Sequence, residues 1–221
     1  FFFKQKTAYE IKECDWSSDV CSSDLTKSWR RKTTAIIAPK PGMEILDLAA
    51  GTGSSSVPLA QAGAKVIPAD FSEGMLEAGL KRHPHLPFTK ADALNLPFEA
   101  KRFDVVTISF GLRNTVDFDK ALGQMLKVTK PGGRLVVCEF SQPTWKPFRI
   151  LYMNYLMKAL PMIAKWTSSN PDAYVYLAES IRAWPTQSAL AARIEAAGWA
   201  NATWKNLTFG IVSVHSASAP L

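Results

Sequence analysis

"EILDLAAGTGSSSVPLA", residues 44–60, decides the fold. An apolar run ends in an aspartate, two alanines and a Gly-Thr-Gly turn, and the chain then takes on helical character. A strand leading through a glycine turn into a helix is how a chain builds a nucleotide-cofactor pocket, because glycine lets the ligand approach the backbone. Working outward, "WRRKTTAIIA" (29–38) reads as the end of an amphipathic helix stopped by Pro39 and Pro41. Strands are expected at 43–49, 64–70, 86–92, 103–112 and 134–140, the last entered through a "KPGG" turn at 130–133. Helices are expected at 54–62, from Ser72 as N-cap to Arg82, and at 117–128. Five strands alternating with helices argue for an α/β fold with a parallel, doubly wound sheet and right-handed crossovers. The alternation breaks between Ser141 and Pro185, where Trp145, Phe148, Tyr152, Tyr155, Trp166, Tyr174 and Tyr176 fall mostly at helical spacing. This stretch, 141–187, reads as an inserted helical cap. A helix at 187–198 and two strands turning near Phe209 and Gly210 close the chain as an antiparallel hairpin.

The chain has 221 residues, 47% of them hydrophobic, which suffices for one domain with a sizeable core. No apolar run reaches the roughly 18 residues that span a bilayer. The first 25 residues stand apart. "KQKTAYEI" and "DVCSSDL" back-translate to AAGCAGAAGACGGCATACGAGAT and GACGTGTGCTCTTCCGATCT, which resemble sequencing-library adapters in matching order and frame. Residues 1–25 are therefore expected to be adapter-derived and to form no packed structure, leaving one domain over 26–221. That segment holds three Lys and five acidic residues, so the 23 basic and 14 acidic residues that remain leave +9. Setting Cys14 and Cys21 aside leaves Cys138, which supports neither a disulfide framework nor a metal site and points to a reducing cytoplasm. The basic balance permits contact with an anionic membrane surface; no nucleic-acid-binding motif accompanies it.

The glycine turn narrows the cofactor. A dinucleotide fingerprint needs a third glycine or alanine, and Gly51-Thr52-Gly53-Ser54-Ser55-Ser56 lacks it. Asp47 stands just before the loop, where it would repel a pyrophosphate and suit a cation. S-adenosylmethionine carries a sulfonium and an ammonium and no phosphate. Asp70 ends the second strand about 20 residues after the glycines, the spacing at which an acid bonds ribose hydroxyls. Asp92, at the end of the third strand, suits an adenine amino group, and Ser109 ends the fourth. Each acid alone reads first as a solvated loop charge; their joint placement at C-terminal strand ends favours a site.

The segments "DLAAGTG", "ADFSEGML", "ADALNLPF", "FDVVTISFGLRN", "KPGGRLVVCEFS", "NPDAYVYLAESIRAWPTQ" and "NLTFGIVSVH" together resemble the quinone-biosynthesis C-methyltransferases. These act on demethylmenaquinol and 2-polyprenyl-6-methoxybenzoquinol, and the closer likeness is to the actinobacterial menaquinone branch. The resemblance runs from Trp29 to His215. It implies a Rossmann-like class I methyltransferase fold and S-adenosylmethionine contacts at Thr52, Asp70, Asp92, Ala93 and Ser109, beside Asp47, Gly51 and Gly53 of the loop. Ala50 departs from the glycine common in the family. The family's segment before "WR" helps close the site and is replaced here by the adapter-like stretch, so weak cofactor binding and poor turnover are expected of the chain as written. The implied reaction methylates a ring carbon of a polyprenyl naphthoquinol at the inner face of the cell membrane. Arg113 and Asn114, just after the fourth strand, would stabilise a developing phenolate or order a water; a structural ion pair explains Arg113 equally well. Tyr174 and Tyr176 would line the quinol pocket or pack the core, and His215 is read as structural. Benzoquinol methylation and a non-catalytic nucleotide-binding domain are the alternatives. A short-chain dehydrogenase would need a Tyr-x-x-x-Lys pair, which no suitable place supplies.

Overall fold

The computed structural model describes residues 24–155, 157 and 171–221. Seven strands form one sheet in the order β3-β2-β1-β4-β5-β7-β6. They are β1 Glu44–Leu48, β2 Lys65–Asp70, β3 Thr89–Lys90, β4 Phe103–Ser109, β5 Thr129–Phe140, β6 Ala200–Leu207 and β7 Val212–Ser218. β1 to β5 run parallel, while β7 is antiparallel to both β5 and β6. The helices are α1 Asp24–Ile37, α2 Ser56–Gln61, α3 Glu73–Arg82, α4 Phe118–Val128, α5 Lys146–Asn154, α6 Pro171–Ala183 and α7 Gln187–Ala196.

The strands read as continuous apolar runs because both sheet faces are covered. On one face Leu46, Val106, Ile108, Leu135 and Val137 pack with Leu122, Met125, Leu190 and Ile194 of α4 and α7. On the other, Ile45, Val66, Val105, Val136 and Cys138 pack with Trp29, Ile37 and Leu59 of α1 and α2. The period of two along each strand divides these sets. The helix starts follow local chemistry: Ser72 accepts from Met75 N–H, Asp117 from Lys120 N–H and Thr186 from Ala189 N–H.

Four expectations change. β3 is two residues long, not seven, because Leu86 N–H turns back to His83 and Phe88 N–H to Leu86, and Pro87 has no amide to offer a ladder. "KPGG" lies inside β5 as an irregularity opposite Phe103/Val105, not as a turn before the strand. Gly133 is needed there, since a Cβ would stand 2.6 Å from Thr129 Cγ2. β4 stops at Ser109, where Phe110 adopts φ 56° and the chain enters a 3₁₀ turn at Leu112–Asn114. α1 begins at Asp24, two residues inside the stretch read as adapter-derived; the reading of residues 1–23 lies outside the described residues. Of the expected cap, α5 and α6 are described, while Trp166 and the side chain of Tyr174 fall outside.

Candidate active site

The C-terminal ends of β1, β2 and β4 converge on an open cleft lined by Ala49, Asp70, Asp92, Ala93 and Asn114 among others. Ligands in open α/β sheets bind at this end, where the strand order reverses. Here the reversal falls between β1 and β4.

Asp70 is buried and organises the site. Its Oδ2 accepts from Gly51 N–H at 2.9 Å and its Oδ1 from Ser72 N–H at 3.0 Å. One carboxylate thus ties the glycine loop to the start of α3. Gly51 and Gly53 take φ 56° and 83°, and the space where a Gly51 side chain would stand is empty. Gly53 is closed in instead, since a Cβ there would lie 2.7 Å from Phe88 Cζ. Thr52 and Ser54 hydroxyls approach at 3.5 Å. Asp92 is oriented by Leu94 N–H, which donates to its Oδ1 at 2.9 Å.

Asp47 lies beneath the loop, fully buried, accepting from Ser55 and Ser56 hydroxyls at 2.6 Å each on Oδ2. Its Oδ1 is buried with no hydrogen-bond partner among the described residues. Burial pushes its carboxyl up to about 6, against the lowering effect of the two serines. Because the folded value exceeds the unfolded 3.8, the acid is comfortable below pH 4 and its burial costs stability as pH rises through 6. Two pKa units correspond to about 3 kcal/mol. Asp47→Asn keeps an acceptor for the serines but still buries an amide, so it is expected to recover about 1–2 kcal/mol at pH 8. Melting temperatures of the two proteins should converge towards pH 4; a difference that does not narrow there would refute the assignment.

Arg113 faces away from the solvent. Its Nη1 donates to Glu139 Oε1 at 2.6 Å and to Phe110 O at 3.1 Å, and its backbone N–H donates to Glu139 Oε2 at 3.3 Å. The guanidinium stands 5.0 Å from the Phe140 ring centroid. Of the two readings, the ion pair is the one seen, and it holds the 3₁₀ turn so that the next residue, Asn114, lines the cleft. Tyr176 OH donates to Asn114 Oδ1 at 3.3 Å. Burial raises the Tyr152 and Tyr176 hydroxyls above their ordinary value, so both stay protonated at neutral pH. Ser109 ends β4 paired with Cys138, outside the lining of the cleft. His215 is buried, its pKa lowered by that burial, with Nε2 2.9 Å from Gln187 O, and it does not line the cleft. Cys138 is buried and its thiol is pushed up to about 12 by desolvation.

Three features escaped the sequence reading. Glu139 announced itself only as an acid in the apolar run "VVCEF". Ala49 takes φ 52°, and a Cβ on Gly111 would meet its own Cβ at 2.4 Å, so the floor of the cleft needs both small residues. Phe71 and Val116 form exposed apolar rims.

A parallel sheet closed by an antiparallel hairpin, with a glycine loop after β1 and an acid ending β2, defines a class I S-adenosylmethionine-dependent methyltransferase. Solved structures share the fold: an S-adenosylmethionine-dependent methyltransferase from Aquifex aeolicus (TM-score 0.64, 16% identity, covering 95% of this chain and 96% of that one). Another is Haemonchus contortus phosphoethanolamine N-methyltransferase 2 in complex with S-adenosyl-L-methionine (TM-score 0.63, 15% identity, covering 88% and 53%). The chain belongs to the ubiE/COQ5 methyltransferase family, whose profile matches residues 8–219. Its relatives include the demethylmenaquinone methyltransferases of Streptomyces avermitilis (58% identity, covering 91% of this chain and 87% of the relative) and Mycobacterium sp. strain JLS (57%, covering 93% and 89%).

Proposed function

We propose that this protein transfers a methyl group from S-adenosylmethionine to a ring carbon of a polyprenyl naphthoquinol, converting demethylmenaquinol to menaquinol in menaquinone biosynthesis. The observation that carries the reading is the meeting of Asp70, Asp92 and Asn114 around one cleft at the C-terminal strand ends. The residues fit the cofactor. Asp70 would hold the ribose hydroxyls through its buried carboxylate, Asp92 and Ala93 would hold the adenine, and the open space beside the Gly51 backbone would leave room for the cofactor next to Thr52. The carboxylate of Asp47, incompletely satisfied, sets a negative potential under the loop that suits a cationic ligand. When bound, S-adenosylmethionine supplies an electrophilic methyl group.

The acceptor carbon must be electron-rich and aligned behind that methyl. A quinone carbon is electron-poor; the quinol, on losing a phenolic proton, gains density at the adjacent carbon. We assign the acceptor contact to Asn114, which lines the cleft and accepts from Tyr176 OH. Arg113 acts through the turn it anchors. Phe71 and Val116 give the cleft apolar, solvent-exposed edges that suit an apolar acceptor. No helix among the described residues is long and apolar enough to cross a membrane. The basic balance of the chain supports peripheral contact with an anionic membrane surface as the route to a lipid-tailed acceptor.

Methyl transfer is expected with the chemically reduced naphthoquinol and not with the oxidised quinone, and the rate should rise with pH through the phenolic range. A radiolabelled methyl-transfer assay, with a benzoquinol acceptor as the comparison, reads both. Equal rates with quinone and quinol would overturn the carbon-nucleophile mechanism.

A further inference from the structure

The surface next to the cleft carries an apolar display that the reaction itself does not use. No residue of α5 is buried, although its sequence KPFRILYMN is mostly apolar. Trp145, Ile150 and Leu151 are 63–67% exposed. A nine-residue helix is too short to persist in water on propensity alone; α5 packs only its Tyr152 and Met153 side against α6, which leaves its Trp145, Ile150 and Leu151 side uncovered. Beside it, Phe209 is 81% exposed, and its ring lies 5.7 Å from that of Phe148.

The backbone works to hold Phe209 out. Thr208 and Phe209 both adopt left-handed φ, 47° and 56°. A β-branched residue there is strained, and strain of this kind persists only where surrounding structure enforces it. Trp29 supplies one restraint, donating from Nε1 to Thr208 Oγ1 at 2.7 Å. Gly210 supplies another, packing so closely that a Cβ would stand 3.2 Å from Pro143 Cα. The turn precedes β7, whose first residue, Val212, pairs with Phe140 at the end of β5, so it lies at the cleft end of the sheet.

The charges name the partner. From Ser141 to Tyr155 the chain carries Lys146 and Arg149 and no acidic residue. Exposed aromatic and aliphatic side chains on a segment whose only charges are cations match a bilayer with anionic headgroups. The inner face of α5 is continuous with the site: Tyr152 and Met153 pack on Leu177, Ala178 and Ile181 of α6, and Tyr176 of the same helix reaches Asn114.

We propose that α5 and the Phe209 turn dock this protein onto an anionic lipid bilayer, with Trp145, Ile150, Leu151 and Phe209 entering the headgroup region and Lys146 and Arg149 meeting lipid phosphates. The purpose of docking, delivery of a lipid-tailed acceptor, rests on the methyl-transfer reading; the surface itself does not.

Vesicle flotation of the full chain tests this, using phosphatidylglycerol-containing and pure phosphatidylcholine vesicles at low salt. The protein should float with the anionic vesicles. Lys146→Gln with Arg149→Gln should weaken partitioning about thirtyfold, and Ile150→Glu with Phe209→Ser should abolish it. S-adenosylmethionine affinity by calorimetry should be unchanged in both variants, which establishes that they fold. No flotation of the parent protein, or flotation of both variants like the parent, would overturn the proposal. So would a parent dimer that the apolar variant converts to monomer, since the patch would then be a self-interface. Turnover of a short-tailed, water-soluble quinol separates the two readings. The docking variants should match the parent's rate, and a parent that floats but binds no S-adenosylmethionine would count against the methyl-transfer reading alone.

Discussion

Glu139→Leu is expected to lower stability by about 3–5 kcal/mol, the cost of leaving a charge buried without its partner. Arg113 and Glu139 side chains are 4% and 0% exposed, so the guanidinium could not turn to water once the carboxylate is gone. The carboxylate has further duties, accepting from Arg113 N–H and from Phe140 N–H, and their loss adds to the deficit. Arg113→Met strands the opposite charge and should cost a similar amount. The double variant should be more stable than either single one, because two apolar groups of similar volume remove both desolvation terms. Urea unfolding midpoints of the four proteins form the cycle. Additive losses, with the double variant the least stable, would show that the two residues do not act as a pair.

Asp70→Ala should weaken S-adenosylmethionine binding by one to two decades, roughly the loss of a charge-assisted hydrogen bond worth about 1.5–3 kcal/mol. Two effects combine. The ribose loses its acceptor, and the loop loses its anchor, since Gly51 N–H and Ser72 N–H both donate to this carboxylate. Asp70→Asn retains one acceptor oxygen but presents an amide where the second N–H donor approaches, so its loss should fall between the two. Calorimetric titration against the cofactor measures both. An unchanged affinity in Asp70→Ala would remove Asp70 from the site.

The doubly wound sheet was legible from the alternation of buried apolar strands with capped helices, because period and capping are local properties that the chain carries wherever it folds. The position of Asp70 was legible for the same reason: it ends β2, and strand ends mark where ligands lie in this class of sheet; Asp92, expected to end the third strand, instead stands two residues past the shortened β3. The extent of β3 was not legible, since a strand at the edge ends where its amides find other partners, here His83 and Leu86 carbonyls. Nor was the place of "KPGG", whose glycines signal a turn but serve a close approach across the sheet.

What the sequence determined by itself was the order of elements, the glycine loop and the cofactor class, because each depends on spacing along the chain. Only tertiary structure decided the orientation of Arg113. Its partner Glu139 is 26 residues away on the neighbouring strand, and in the buried ground between them a guanidinium is held by the nearest carboxylate, not by the cleft a residue further on. The same holds for the exposed face of α5 and the Phe209 turn. Apolar residues ordinarily predict a core, and which of them stay in water depends on what the remaining fold leaves uncovered.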